Sequence, residues 1–154
     1  MAKLEVGAKA PAFHLMNQRS KKIRLSDSEG KRTVVYFYPK ADTPGCTTQA
    51  CELNSALLAL KKLKAVVIGI SPDSPERQKA FADKFDLKFP LLSDEDHKVA
   101  EKWGVWGEKS LYGRKYFGIV RSAFVLDERG KVLSAFYKIS PKDTVAKVTA
   151  VLEG

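Results

Sequence analysis

The sequence predicts an α/β fold: a mixed central β-sheet flanked by helices, entered through an N-terminal β-hairpin. Three observations predict it. "TVVYFYP" and "AVVIGISP" are short runs of β-branched and aromatic residues, the pattern of strands buried on both faces. A segment with helical periodicity follows each of them, as in sheets covered by helices. Near the end, "RSAFVLDERGKVLSAFY" reads as two strands around an Asp-Glu-Arg-Gly turn, so the sheet is mixed rather than purely parallel. The 154 residues fit a single domain over 1–154, and 44% apolar residues suffice for a full core at that length.

The elements follow in order. "PAFHLMNQ" and "KKIRLSD" read as two short edge strands joined by a polar turn, the N-terminal hairpin. "TVVYFYP" is a buried strand ended by Pro39. From Thr43 the period changes: Ala50, Leu53, Leu57, Leu60 and Leu63 recur at spacings of three and four, which predicts a helix. "AVVIGISP" is the second buried strand. "SPERQKAFADKFD" opens with Ser74 as N-cap and Pro75 at the first helical position, with Ala80, Phe81 and Phe85 as its apolar face. "FPLLSD" is a short strand and "EDHKVAEKWG" a short helix ended by Gly104. After the second pair of strands, "SPKDTVAKVTAVLEG" is an amphipathic helix capped by Ser140.

Charge and leader signals narrow the function. The formal charge of +9 raises nucleic acid or another anion as a partner. Yet the lysines are spread widely, and the densest clusters, "RSKKIR" and "KKLK", have no interleaved aromatics, so they read as solvated surface without nucleic-acid binding. No apolar window is long enough to span a membrane, and "MAKLEVGAKAPAF" lacks the apolar run of a secretory signal. The expected location is the cytoplasm, where thiols are kept reduced. His14 and His97 are far apart and lack metal-ligand spacing, so both read as surface or edge residues. Trp103 and Trp106 read as core or loop packing, with the mouth of a pocket as the alternative.

Both cysteines of the chain, Cys46 and Cys51, lie in "YPKADTPGCTTQACEL". Thr43 suits an N-cap and Pro44 the first helical position, which puts Cys46 in the first turn. Free backbone N–H groups and the positive end of the helix dipole favour a thiolate there, while Asp42 and Glu52 oppose one. Ionisation alone is a small effect. An ordinary thiol is ~3% thiolate at pH 7, so full ionisation gains ~30-fold, against enzymatic accelerations that start near ~10⁶. Charge on a departing atom must also be stabilised. From composition alone, a buried inert Cys46 and a reactive one stand level. Five residues on an α-helix turn about 140° and rise about 7.5 Å, so the Cα atoms sit roughly 8–9 Å apart. A disulfide needs less than about 7 Å, so the two can bridge only if the first turns unwind. This is unlike a Cys-x-x-Cys reductase, whose thiols meet directly; disulfide reductase and basic binding module remain rival readings.

"FYPKADTPGCTTQACEL" closely resembles the peroxiredoxin Q group, the bacterioferritin comigratory proteins. So do "VGAKAPAF", "GISPDSPE", "FPLLSDED", "KWGVWGEK" and "YGRKYFGIVRSAFVLDERGKV", which together cover nearly the whole chain. The Pro-x-x-x-Thr-x-x-Cys pattern of Pro39, Thr43 and Cys46, with Arg121 opening a later strand, carries the resemblance. It implies a thioredoxin-like domain of the alkyl hydroperoxide reductase/thiol-specific antioxidant type and a thiol-dependent peroxidase acting on hydrogen peroxide and organic hydroperoxides. It implies Cys46 as peroxidatic and Cys51 as resolving cysteine, joined in a Cys46–Cys51 disulfide. It gives Arg121 and the Cys46 N–H the peroxide and its developing charge, the Thr43 hydroxyl the alignment of the oxygens, and Pro39 the shielding of the thiolate. It further implies no cofactor and no metal, thioredoxin or sometimes glutaredoxin as reductant, and a monomer.

Overall fold

A computed structural model describes residues 3–154; Met1 and Ala2, where the segment read for a leader begins, lie outside the described residues. Among the described residues, nine strands and five α-helices form a seven-stranded mixed sheet, a separate two-stranded sheet and helices on both faces. The sheet is organised around β3 (Arg32–Phe37) and β4 (Ala65–Ser71), which pair in parallel from Arg32↔Ala65 to Phe37↔Ile70. Next to β4 lies β5 (Leu91–Ser93), also parallel. On the other side of β3, β8 (Ser122–Leu126) and β9 (Val132–Tyr137) run antiparallel. The N-terminal hairpin, β1 (His14–Met16) and β2 (Lys22–Arg24), closes the sheet through a bridge from Met16 to Ser93.

Period-two alternation in β3 divides the interior in two. Val34, Tyr36 and Tyr38 point into one core, with Leu53 from α1 (Pro44–Ser55), Leu60 from α2 (Leu57–Lys62), Phe81 from α3 (Pro75–Phe85) and Val148 from α5 (Thr144–Glu153). Val35 and Phe37 point into the other, with Val99 from α4 (Lys98–Lys102), Trp103 and Phe124. Trp103 is fully buried, and its ring meets Phe37 and Phe124 with centroids 5.5 Å and 5.0 Å apart, so it is a core residue. Trp106 stacks on His97 at 3.7 Å; His97, bonded to Glu101, is half-buried, and His14 is exposed.

Several expectations need correction. The helix expected from Thr43 onward breaks at Ala56, whose N–H is shared between the Glu52 and Leu53 carbonyls, giving α1 and α2. In α3, Ala80 faces solvent; the inward face is Gln78, Phe81, Ala82 and Phe85, the i, i+3, i+4, i+7 set. Ser140 caps a 3₁₀ turn at Pro141–Asp143 that leads into α5. The sequence reading missed one hairpin, β6 (Trp106–Leu111) and β7 (Arg114–Ile119), joined by Tyr112 and Gly113, both at positive φ. Two consecutive positive φ values suit a tight hairpin turn. Both strands are largely exposed, so they lack the one-sided apolar alternation that marks a strand in sequence.

Candidate active site

The site forms where β3 and β4 end. The Tyr38 N–H continues the ladder past β3 to the Ile70 carbonyl at 3.0 Å, and the chain then turns through Pro39–Thr43 into α1. Asp42 takes the left-handed conformation (φ 61°) and Thr43 an extended one, which aims Pro44 into the first helical position. The earliest helical bond runs from the Thr47 N–H to the Thr43 carbonyl at 2.8 Å. The N–H groups of Gly45 and Cys46 precede that bond and have no helical acceptor. Cys46 is a free thiol at 1% exposure in this first turn, as the sequence predicts.

Thr43 caps the helix by backbone position, but its side chain does not. Its hydroxyl donates to the Lys40 carbonyl at 2.8 Å instead. A carbonyl can only accept, so the hydroxyl proton is committed and the Thr43 oxygen faces other groups as an acceptor. Pro39 is half-buried immediately after Tyr38.

Arg121 precedes β8 and reaches across to α1. Its Nη1 donates to Cys46 Sγ at 3.4 Å and to Gln49 Oε1 at 2.9 Å. Gln49 is fully buried, and its Nε2 donates to Thr144 Oγ1 at 2.9 Å; Thr144 in turn donates to the Ser140 carbonyl at 2.9 Å. The guanidinium is thus held from α5 through α1, with its charge against the sulfur. Gly45 makes room for it: a Cβ there would stand 3.1 Å from Arg121 Nη2. A second cation flanks the site. Lys109 of β6 donates to the Ile119 carbonyl at 2.8 Å, and burial and then the Arg121 charge push its ammonium below the usual range, with Cys46 acting in the opposite sense.

Cys51 lies on the same unbroken helix but apart from this cluster. It is a free, partly exposed thiol on a shallow groove between α1 and α5, beside Glu52, Val145 and Ala150. Of the opposing carboxylates, Asp42 is engaged by Lys84 Nζ at 3.0 Å. The structure therefore gathers Cys46 and Arg121, sets Thr43 and Pro39 on the adjoining turn, and leaves Cys51 about 1.4 helical turns away. Sequence reasoning missed Gln49 and Lys109. Gln49 sits three residues after Cys46 and so shares its helix face, a signal that was available; nothing local marks Lys109. Among the described residues no group of three or more His, Cys, Asp or Glu side chains could hold a metal ion, and no helix is long and apolar enough to cross a membrane.

Comparison with known proteins places this geometry. Residues 6–135 match the model of the AhpC/TSA family. The chain is 52% identical over 143 residues to a putative peroxiredoxin bcp of Haemophilus influenzae, covering 93% of this chain and 92% of that one. It is 43% identical over 150 residues to peroxiredoxin Bcp of Bacillus subtilis, covering 97% and 96%. Among solved structures it superposes on Xanthomonas campestris peroxiredoxin Q with a TM-score of 0.88 at 34% identity, over 97% of this chain and 95% of that one. A bacterioferritin comigratory protein of the same organism, described for its alkyl peroxide reduction activity, also gives 0.88 at 34% identity, over 99% and 98%. The thioredoxin-like fold, the buried thiol under an arginine and these relatives agree: the chain belongs to the AhpC/TSA family, in its peroxiredoxin Q/bacterioferritin comigratory protein group of thiol-dependent peroxidases.

Proposed function

We propose that Cys46 is the peroxidatic cysteine, Cys51 the resolving cysteine, and Arg121, Thr43 and Pro39 the residues that bind and shield the reacting peroxide. The observation that carries this reading is the 3.4 Å contact between Arg121 Nη1 and Cys46 Sγ in the first turn of α1. In the first step the Cys46 thiolate attacks one peroxide oxygen and the O–O bond breaks. Thiolate, hydroperoxide and one proton become sulfenic acid and an alcohol, or water from hydrogen peroxide. Negative charge grows on the departing oxygen, where Arg121 and the unpaired Cys46 N–H can stabilise it. The Thr43 oxygen, its own proton given to Lys40, accepts from the peroxide O–H and fixes which oxygen faces the sulfur.

Resolution needs the helix to open. The Cys51 thiol then attacks the sulfenic sulfur, the S–S bond forms and water leaves. A dithiol reductant returns both cysteines to thiols and becomes a disulfide itself. We assign that role to thioredoxin, with glutaredoxin as the alternative, and place the enzyme in the cytoplasm as a monomer acting without a cofactor. Stopped-flow mixing of reduced protein with less than one equivalent of hydrogen peroxide tests the reading through tryptophan fluorescence. A fast phase in the wild type that is absent from Cys46→Ser is expected. A fast phase that survives in Cys46→Ser overturns the assignment.

A further inference from the structure

A second set of buried polar side chains lies behind the Pro39–Thr43 turn, and none of the steps above uses it. Tyr38 Oη donates to Gln78 Oε1 at 2.6 Å, and Gln78 Nε2 donates to Ser71 Oγ at 2.8 Å and to the Leu92 carbonyl at 3.0 Å. Ser71 Oγ donates to Asp73 Oδ2 at 2.7 Å, and the same oxygen accepts the Ala41 N–H at 2.7 Å. The path begins at Tyr38 and returns to Ala41, so it closes around Pro39 and Lys40. Every donor direction is fixed. The Leu92 carbonyl must accept, which sets the Gln78 amide; burial pushes the Tyr38 phenol well above its usual range, so it stays a neutral donor. Asp73 is 8% exposed, and its other oxygen meets the exposed Arg77 side chain at 3.4 Å.

A buried carboxylate is a costly way to stabilise a fold, because apolar packing of similar volume does as well or better. Its placement has a different consequence. Asp73 ties the β4–α3 corner to the turn that presents Pro39 and Thr43 and leads into the Cys46 helix. We propose that Asp73 is a positioning residue for this turn, which it holds in the peroxide-binding form and against the unwinding that brings Cys46 to Cys51. The proposal rests on the roles of Cys46, Cys51 and Thr43 given above. It predicts that loosening the turn moves the two steps in opposite directions. Sulfenic acid formation slows, because the oxygen acceptor and the thiol lose their alignment. Disulfide formation quickens, because the folded start of α1 is what resolution has to open.

The test measures both rates by stopped flow in Asp73→Ala, with Tyr38→Phe as a milder break at the other end of the circuit should Asp73→Ala not fold. Expected for Asp73→Ala are a first step slower by about tenfold and disulfide formation faster by about fivefold. Tyr38→Phe shifts both rates in the same senses by less. Arg77→Ala, which removes only the exposed partner, leaves both rates within about twofold. Val132→Ala, in the opposite core, lowers Tm without changing the ratio of the two rates. Parallel slowing of both steps, or an unchanged ratio in Asp73→Ala and Tyr38→Phe, overturns the proposal. Failure of the underlying roles reads out separately, as a fast oxidation phase that persists in Cys46→Ser.

Discussion

The first and second turns of α1 make an instructive pair, because each carries a cysteine and they treat it in opposite ways. Cys46 is sealed at 1% exposure, lies beside unpaired N–H groups and is touched by the Arg121 guanidinium. Cys51 opens on the α1–α5 groove, with Glu52 beside it and Lys142 on the lining of the groove. The residue type and the helix are shared, so the surroundings alone separate the proposed roles. One sulfur is enclosed beside the arginine. The other stays accessible, where a sulfur arriving from an unwound first turn can meet it and a protein reductant can follow. The unbroken helix keeps the two free thiols apart.

The sharpest way to break this contrast is to remove each sulfur in turn. Cys46→Ser is expected to abolish peroxide turnover completely, seen as loss of hydroperoxide-dependent oxidation of a thioredoxin system. Cys51→Ser is expected to leave the first oxidation within about twofold of wild type, since the variant atom lies outside the contacts around Cys46. Recycling should stall, with a sulfenic acid trapped on Cys46 that mass spectrometry of a dimedone adduct detects. Equal loss of the first step in both variants would mean that the two turns do not divide the work.

A smaller effect is expected from the cation that distinguishes the turns. Arg121→Met keeps most of the side-chain volume but removes the charge and the donor to Cys46. Loss of one preorganised donor to developing charge costs about 10²–10³ in rate, so the second-order rate constant for sulfenic acid formation should fall by about that factor. Disulfide formation, once sulfenic acid is present, should change far less. A loss under about fivefold in the first step would show that the helix start suffices without the arginine.

How much of this was legible in the sequence depends on how local each feature is. Strands β3 and β4 were plain, because uninterrupted β-branched runs have few other places to go than a two-sided core. Cys46 in a first helical turn was also plain, from Thr43 and Pro44 alone. The β6–β7 hairpin was not, because Glu108, Ser110, Arg114 and Lys115 are exposed and leave no apolar alternation to read. Thr43 was half-legible: its place at the helix start followed from residue type, but its hydroxyl turned to Lys40 through the conformation of the turn. Arg121 and Gln49 lie 72 positions apart, and only the antiparallel docking of β8 against β3 brings them together. Arg121 was found through family resemblance, and Gln49 was not found.

Gln49 offers the finest test of the contrast, because it belongs to the first turn's surroundings without touching the sulfur. Arg121 Nη1 bonds both Gln49 Oε1 and Cys46 Sγ, and Gln49 is itself fixed by Thr144. Gln49→Leu keeps the volume and deletes the bond, leaving the guanidinium free to swing from the thiol. A neutral hydrogen bond to a charged group contributes about 1.5–3 kcal/mol, of which misorientation realises only a part, so the first step should slow by about tenfold. If Gln49 acts only through Arg121, Gln49→Leu should add nothing in an Arg121→Met background, and the double-mutant cycle should return the full single-mutant effect as coupling. Additive losses would instead give Gln49 its own contact with the peroxide. The substitution Gln49→Glu separates position from charge. It restores an acceptor for Nη1 but buries a carboxylate beside the thiol, so it should hold the arginine in place while disfavouring the Cys46 thiolate. Arg121→Met should therefore cost the first step more in a Gln49→Glu background than in a Gln49→Leu one, because only the former still holds the arginine in place.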